Sequence, residues 1–163
     1  MNKITLAIDP GASGGFAVRY PDGKIELMAM PEHDVDRIDF IKTLKARSLL
    51  EPSPIESVME KVGGFVRGNP APGSAMFNFG HGVGVLRGAI LTLEIPLREV
   101  TPQNWQAGLG IGKHATKPQH KRALKAKAQE LYPDLNPTLK TCDALLILDW
   151  ACRGRMTIAE VGE

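Results

Sequence analysis

Three carboxylates occupy positions where an acid needs a reason to be. Asp9 ends the apolar run Ile4 to Ile8 and precedes a glycine-rich turn. Glu60 closes Ser57-Val58-Met59, and Asp143 opens the otherwise apolar stretch Ala144 to Leu148. An ionised carboxylate buried without a partner is costly. If two strands lie side by side and a helix end packs near them, the three acids converge on one point. Carboxylates brought together repel, and a divalent cation is the usual remedy. Taken singly, each has a plainer reading: Asp9 as a turn former before Pro10-Gly11, Glu60 as a solvent-facing strand end, Asp143 as a charge favoured by a helix N-terminus. Their order and context carry the case.

A second group is basic. Between residues 113 and 127 fall six Lys/Arg and no Asp/Glu. Lys117, Lys121 and Lys125 follow each other at i, i+4, i+8 on one stripe, with Lys113 and Arg122 close by. Such a stripe is either a solvated helix face or a grip for a polyanion. The net charge of +2 hides a division: residues 1–60 hold 7 Lys/Arg against 10 Asp/Glu, and the rest hold 13 against 8. His33, His81, His114 and His120 are too scattered for a zinc motif. Trp105 and Trp150 read as core or half-buried aromatics. The turn at 11–15 lacks the Gly-Lys-Ser/Thr ending of a nucleotide phosphate loop, so no organic cofactor is expected. Cys142 and Cys152, about 15 Å apart along one helix, are too distant for a disulfide and read as small packed thiols.

The elements that must position these groups follow from periodicity. Residues 3–9 read as a strand, 16–19 as its antiparallel return, and 24–30 as a third strand after Pro21-Asp22-Gly23. Residues 34–50 carry Val35, Ile38, Ile41, Leu44 and Leu49 near helical spacing, with Asp34 as N-cap. A fourth strand spans 55–62. The glycine-rich segment 63–73 reads as a mobile loop, and 74–93 as a closely packed helix despite its glycines. A fifth strand at 97–100 leads into a short helix, 101–106. The link 108–112 precedes a helix at 117–131 that Pro133 ends, and a largely buried helix at 141–153 follows. The expectation is an α/β fold with a mixed five-stranded sheet, its first three strands antiparallel, flanked by helices.

At 163 residues, with 43% hydrophobic and 23% charged residues, the chain suits a single domain, 1–163. No apolar run approaches the roughly 20 residues of a bilayer-spanning helix. The N-terminus runs straight into a strand pattern without a signal-peptide core. Cytoplasmic residence is the expectation, nucleoid-associated or in a host cell if the gene is a phage's, with no membrane partner.

The string Ile8-Asp9-Pro10-Gly11-Ala12-Ser13-Gly14-Gly15-Phe16-Ala17 resembles the opening of RuvC-type Holliday junction resolvases of the ribonuclease H-like superfamily. Val58-Met59-Glu60 resembles that family's second acidic strand, and Cys142-Asp143-Ala144-Leu145-Leu146-Ile147 its closing acid-Ala-Leu helix. Phe79-Gly80-His81-Gly82-Val83-Gly84, Val100-Thr101-Pro102 with Trp105, and Leu131-Tyr132-Pro133 are most like the phage RuvC-like and plant plastid proteins. One departure stands out. The family has a fourth metal-site residue, an acid or histidine, one helical turn before the final acid; here that position is Lys140. Asp149 lies about 240° around the helix from Asp143 and should face elsewhere.

The resemblance implies a ribonuclease H-like fold and a structure-selective endodeoxyribonuclease. Asp9, Glu60 and Asp143 would be both catalytic residues and ligands of two Mg²⁺ or Mn²⁺ ions, with Asp9 bridging. Paired nicks in a four-way junction would leave 5′-phosphate and 3′-hydroxyl ends. Lys113, Lys117, Lys121, Arg122, Lys140 and Arg67 would contact phosphate, and Phe65 would wedge between bases. Phe77 and Phe79 are expected in the core or at a subunit interface. Branched DNA is the implied partner, bound by a homodimer in which Gly80, Gly82, Gly84 and Gly88 permit close helix approach. Three rivals stand beside this reading. One is a phosphate-handling lobe of the sugar-kinase type, for which the chain is about half the needed length. Another is a non-catalytic nucleic-acid-binding module of the same fold. The third is a ribonuclease H-like nuclease acting on RNA or flap DNA.

Overall fold

The computed structural model describes residues 3–63 and 73–153. Its elements are β1 (Ile4–Asp9), β2 (Gly15–Arg19), β3 (Ile25–Ala29), α1 (Asp34–Leu50), β4 (Ile55–Glu60), α2 (Gly73–Thr92), β5 (Leu97–Val100), α3 (Pro102–Gln106), α4 (Lys117–Leu131) and α5 (Cys142–Arg153). A 3₁₀ turn at Pro133–Leu135 separates the last two helices. The strands form one sheet in the order β3-β2-β1-β4-β5. β1, β2 and β3 are antiparallel through short turns, whereas β4 runs parallel to β1 and β5 to β4. Parallel neighbours need long crossovers, which α1 and α2 provide. The expected mixed sheet is what forms.

Strand alternation sends successive side chains to opposite faces. Ile4, Leu6 and Ile8 of β1 join Phe16, Val18 and Met59 under α1 and α2, against Ile41, Leu44, Leu86 and Ile90. Ala7, Ala17, Val58 and Val100 face the other way, under α3, α4 and α5, against Trp105, Leu124, Ala128, Leu145 and Leu148. The two alanines let α5 lie close to the central strands. Each of the fully buried Leu and Ile side chains of α5 adds about 1.5–3 kcal/mol of burial.

Four details differ from expectation. The N-cap of α1 is His33, without a side-chain cap bond. Asp34 is the first helical residue, and its carboxylate takes hydrogen bonds from Arg37 and His81 instead. Val35 and Leu49 are exposed, at 65% and 70%. The buried stripe of α1 runs through Ile41, Leu44 and Ser48, and the two lie about 120° and 80° around the helix from Ile41. Phe77 is likewise exposed at 74%, which takes it out of the core and leaves the interface half of its expectation open; the buried residues of α2 are Leu86 and Ile90. Finally, β4 stops at Glu60 rather than at 62. Among the described residues no helix is long and apolar enough to cross a membrane.

Candidate active site

β1 and β4 lie side by side with Ile8 opposite Met59. The next residue of each strand is an acid, and parity turns both toward the α5 face. Asp9 follows Ala7 there, and Glu60 follows Val58. Asp143 lies in the first turn of α5, where the helix dipole favours negative charge. The turn between β1 and β2 folds directly beneath this meeting point. A Cβ at Gly14 would stand 2.1 Å from the Asp9 carbonyl oxygen. At Gly15 it would stand 2.5 Å from the Met28 oxygen and 3.0 Å from the Lys140 oxygen. Only glycine permits this approach, which brings the segment leading into α5 down onto the acids.

The acids feel one another. Burial, then the charge of Asp143, lifts Asp9 to a pKa of about 6 against the pull of Lys121. Burial lifts Glu60 to about 7; the Trp105 hydrogen bond opposes this, and Asp9 and Asp143 add to it. Lys121 reaches between them, its Nζ 2.5 Å from Asp143 Oδ2 and 3.6 Å from Asp9 Oδ2. Burial works against the ammonium, but the two carboxylates outweigh it and raise its pKa. The Cys142 thiol donates to the other Asp143 oxygen at 3.3 Å. Burial first, then Asp143, pushes that thiol to about 12, which makes it a donor and not a thiolate ligand. Trp105 Nε1 donates to Glu60 Oε2 at 2.7 Å.

The donor set is all carboxylate oxygen, which suits a hard divalent cation and not zinc. Repulsion and burial together are what such a cation would relieve. Among the described residues, no three His, Cys, Asp or Glu side chains stand at the mutual spacing of one metal ion. The Lys121 ammonium holds the space between Asp9 and Asp143. The acids therefore fit a divalent cation in kind, with Lys121 as the group it would displace.

The acids floor a recess of about 480 Å³, shared with Ser13, Phe79 and Lys140. It continues into a cleft of about 900 Å³ whose lining includes His114, Thr116, Lys117 and His120. Of the residues singled out from sequence, Asp9, Glu60, Asp143, Lys121, Lys140 and Lys117 border this space. Lys113 and Arg122 are exposed and do not line it. Phe65 and Arg67 lie outside the described residues. Asp149 faces elsewhere, bonded to Tyr132 and Arg153. Lys127 pairs with Glu130 and is half-buried.

Two roles were hidden in the sequence. Lys121 was legible only as part of a surface stripe with Lys117 and Lys125. Yet it precedes Leu124 and Ala128 by 3 and 7 residues, which places it on the buried stripe of α4. The Trp105 contact with Glu60 had no sequence signal, because it depends on the pairing of β5 with β4.

No protein-family model matches the chain, and no curated protein does. Solved structures do match. The chain is similar to RuvC of Thermus thermophilus, with 20% identity, TM-score 0.56, 94% of this chain and 96% of that one covered. It is also similar to T. thermophilus RuvC in complex with a Holliday junction substrate, at 17% identity and TM-score 0.57, over the same shares. The fold is thus RuvC-like, of the ribonuclease H type. These likenesses do not bear on the narrower resemblance to phage and plastid proteins.

Proposed function

We propose that this protein is a structure-selective endodeoxyribonuclease that resolves four-way DNA junctions by metal-dependent phosphodiester hydrolysis. The observation that carries the reading is the convergence of Asp9, Glu60 and Asp143 at one end of a lysine-lined cleft, on a fold whose solved relative is bound to junction DNA. Asp9, Glu60 and Asp143 would hold two Mg²⁺ or Mn²⁺ ions. When bound, the metal supplies an activated water and neutralises charge at the phosphoryl group. Lys117 and Lys140 attract the phosphate backbone to the cleft, and Lys121, once parted from Asp143, adds a third cation there. The products would carry 5′-phosphate and 3′-hydroxyl ends.

The working unit would be a homodimer, since two opposed cuts require two sites at fixed separation. Among the described residues, nothing lies within 4 Å of where a Cβ would stand at Gly80, Gly84 or Gly88 of α2. No described residue accounts for their helix cost of about 1 kcal/mol each; close approach of a second α2 would. The protein would act as one domain, in the cytoplasm.

A Mg²⁺-dependent digest of four-way, flap and linear DNA and of RNA tests the reading. Symmetric paired nicks confined to the four-way substrate are expected, with Asp9→Asn losing cleavage by at least a thousandfold while still binding the junction. Cleavage of flap DNA or RNA in preference would move the substrate. The Lys121 bridge and the basic residue at position 140 favour one alternative, a non-catalytic module, and binding of the junction without any cleavage would establish it.

A further inference from the structure

Trp105 is 1% exposed, and its indole nitrogen donates to Glu60 Oε2 at 2.7 Å. A buried indole N–H needs an acceptor. Here the acceptor is a carboxylate 45 residues away on another element, and the local chain is built to deliver the contact. Val100 pairs with Glu60 across β4 and β5. Thr101 then caps α3 by accepting from the Asn104 amide, Pro102 opens the helix, and one turn brings the indole back beside Glu60. The next residue, Gln106, meets the His120 ring at 3.0 Å, adjacent to Lys121 on α4. Neighbouring residues of one five-residue helix thus hold the acid of β4 and the helix that carries the ammonium.

We infer that Trp105 is a positioning residue for Glu60. Its N–H fixes one carboxylate oxygen of a side chain that lines the recess together with Asp9 and Asp143. Orientation by an outer donor of this kind is worth 10- to 100-fold in metal affinity. The catalytic consequence rests on the nuclease reading; the consequence for cation binding does not.

Trp105→Phe keeps a buried ring and removes the donor. Calorimetry without DNA should show Mn²⁺ binding at least tenfold weaker than in the unaltered chain. In the digest, turnover should fall about tenfold at limiting Mg²⁺ and recover at high Mg²⁺, with the KM for junction DNA unchanged. Wild-type Mn²⁺ affinity and Mg²⁺ dependence in Trp105→Phe would overturn the inference. A measurement on the unaltered chain guards against a loss of packing. The assigned Trp105 Nε1–H resonance should move when Mg²⁺ is added and should stay still in Glu60→Gln. A resonance indifferent to Mg²⁺ in the unaltered chain would also overturn it. A Mg²⁺-sensitive indole in a protein that cuts no DNA would sink the nuclease reading alone. Junction cleavage with Trp105→Phe behaving as wild type would sink only the role of Trp105.

Discussion

Asp9 and Glu60 hold their protons more tightly when folded than the ordinary values of 3.8 and 4.5 allow, at about 6 and about 7. The sign of the consequence follows from linkage. Below about pH 4 both states are protonated and the groups contribute nothing. As pH rises through the folded pKa values the folded state must give up protons that the unfolded state has already lost, so stability falls. Each shift of about two units corresponds to roughly 3 kcal/mol, lost between about pH 4 and pH 7. Glu60→Gln removes its share. Thermal melts of the metal-free protein should show the variant gaining on the parent by a few kcal/mol between pH 5 and pH 8. Parallel melting curves across that range would show that Glu60 is not strained. Cation binding should likewise weaken as pH drops through 7 and 6, because both acids must be ionised to serve as ligands.

Among the elements, the turn between β1 and β2 bears most directly on the acids. Gly14→Ala forces a Cβ to within 2.1 Å of the Asp9 carbonyl oxygen, so the backbone itself must shift. We expect a loss of about 2–4 kcal/mol in a denaturant titration, comparable to other severe backbone or packing errors, with cleavage falling further than stability. Gly23→Ala serves as the control: its Cβ meets no described residue within 4 Å, though its φ of +88° adds a milder strain. Equal effects at both positions would mean that the close approach to Asp9 is unimportant. The elements themselves were largely legible in the sequence, since alternation at Ile4, Leu6 and Ile8 and the apolar run from Ala144 to Leu148 leave few choices. What escaped were properties that need partners. Val35 and Leu49 looked apolar enough for the core, but the buried stripe of α1 runs through Ile41, Leu44 and Ser48, and Phe40 beside it packs on Phe16. Asp34 looked like a cap, yet Arg37 and His81 draw its carboxylate away.

Across the whole molecule, the central claim is that acids from three separate elements act as one site. The sequence showed the three acids and their order. It could not show that Lys121 would stand between two of them or that Trp105 would hold the third, because those contacts exist only after β5 pairs with β4 and α4 packs on α5. Calorimetric titration of the DNA-free protein with Mn²⁺ tests the claim most directly, comparing the unaltered chain with Asp9→Asn, Glu60→Gln and Asp143→Asn. A shared site predicts that each substitution alone weakens binding by at least tenfold, and that pairing any two adds far less than the product of their separate effects. Undiminished Mn²⁺ affinity in any one of the three variants would contradict it.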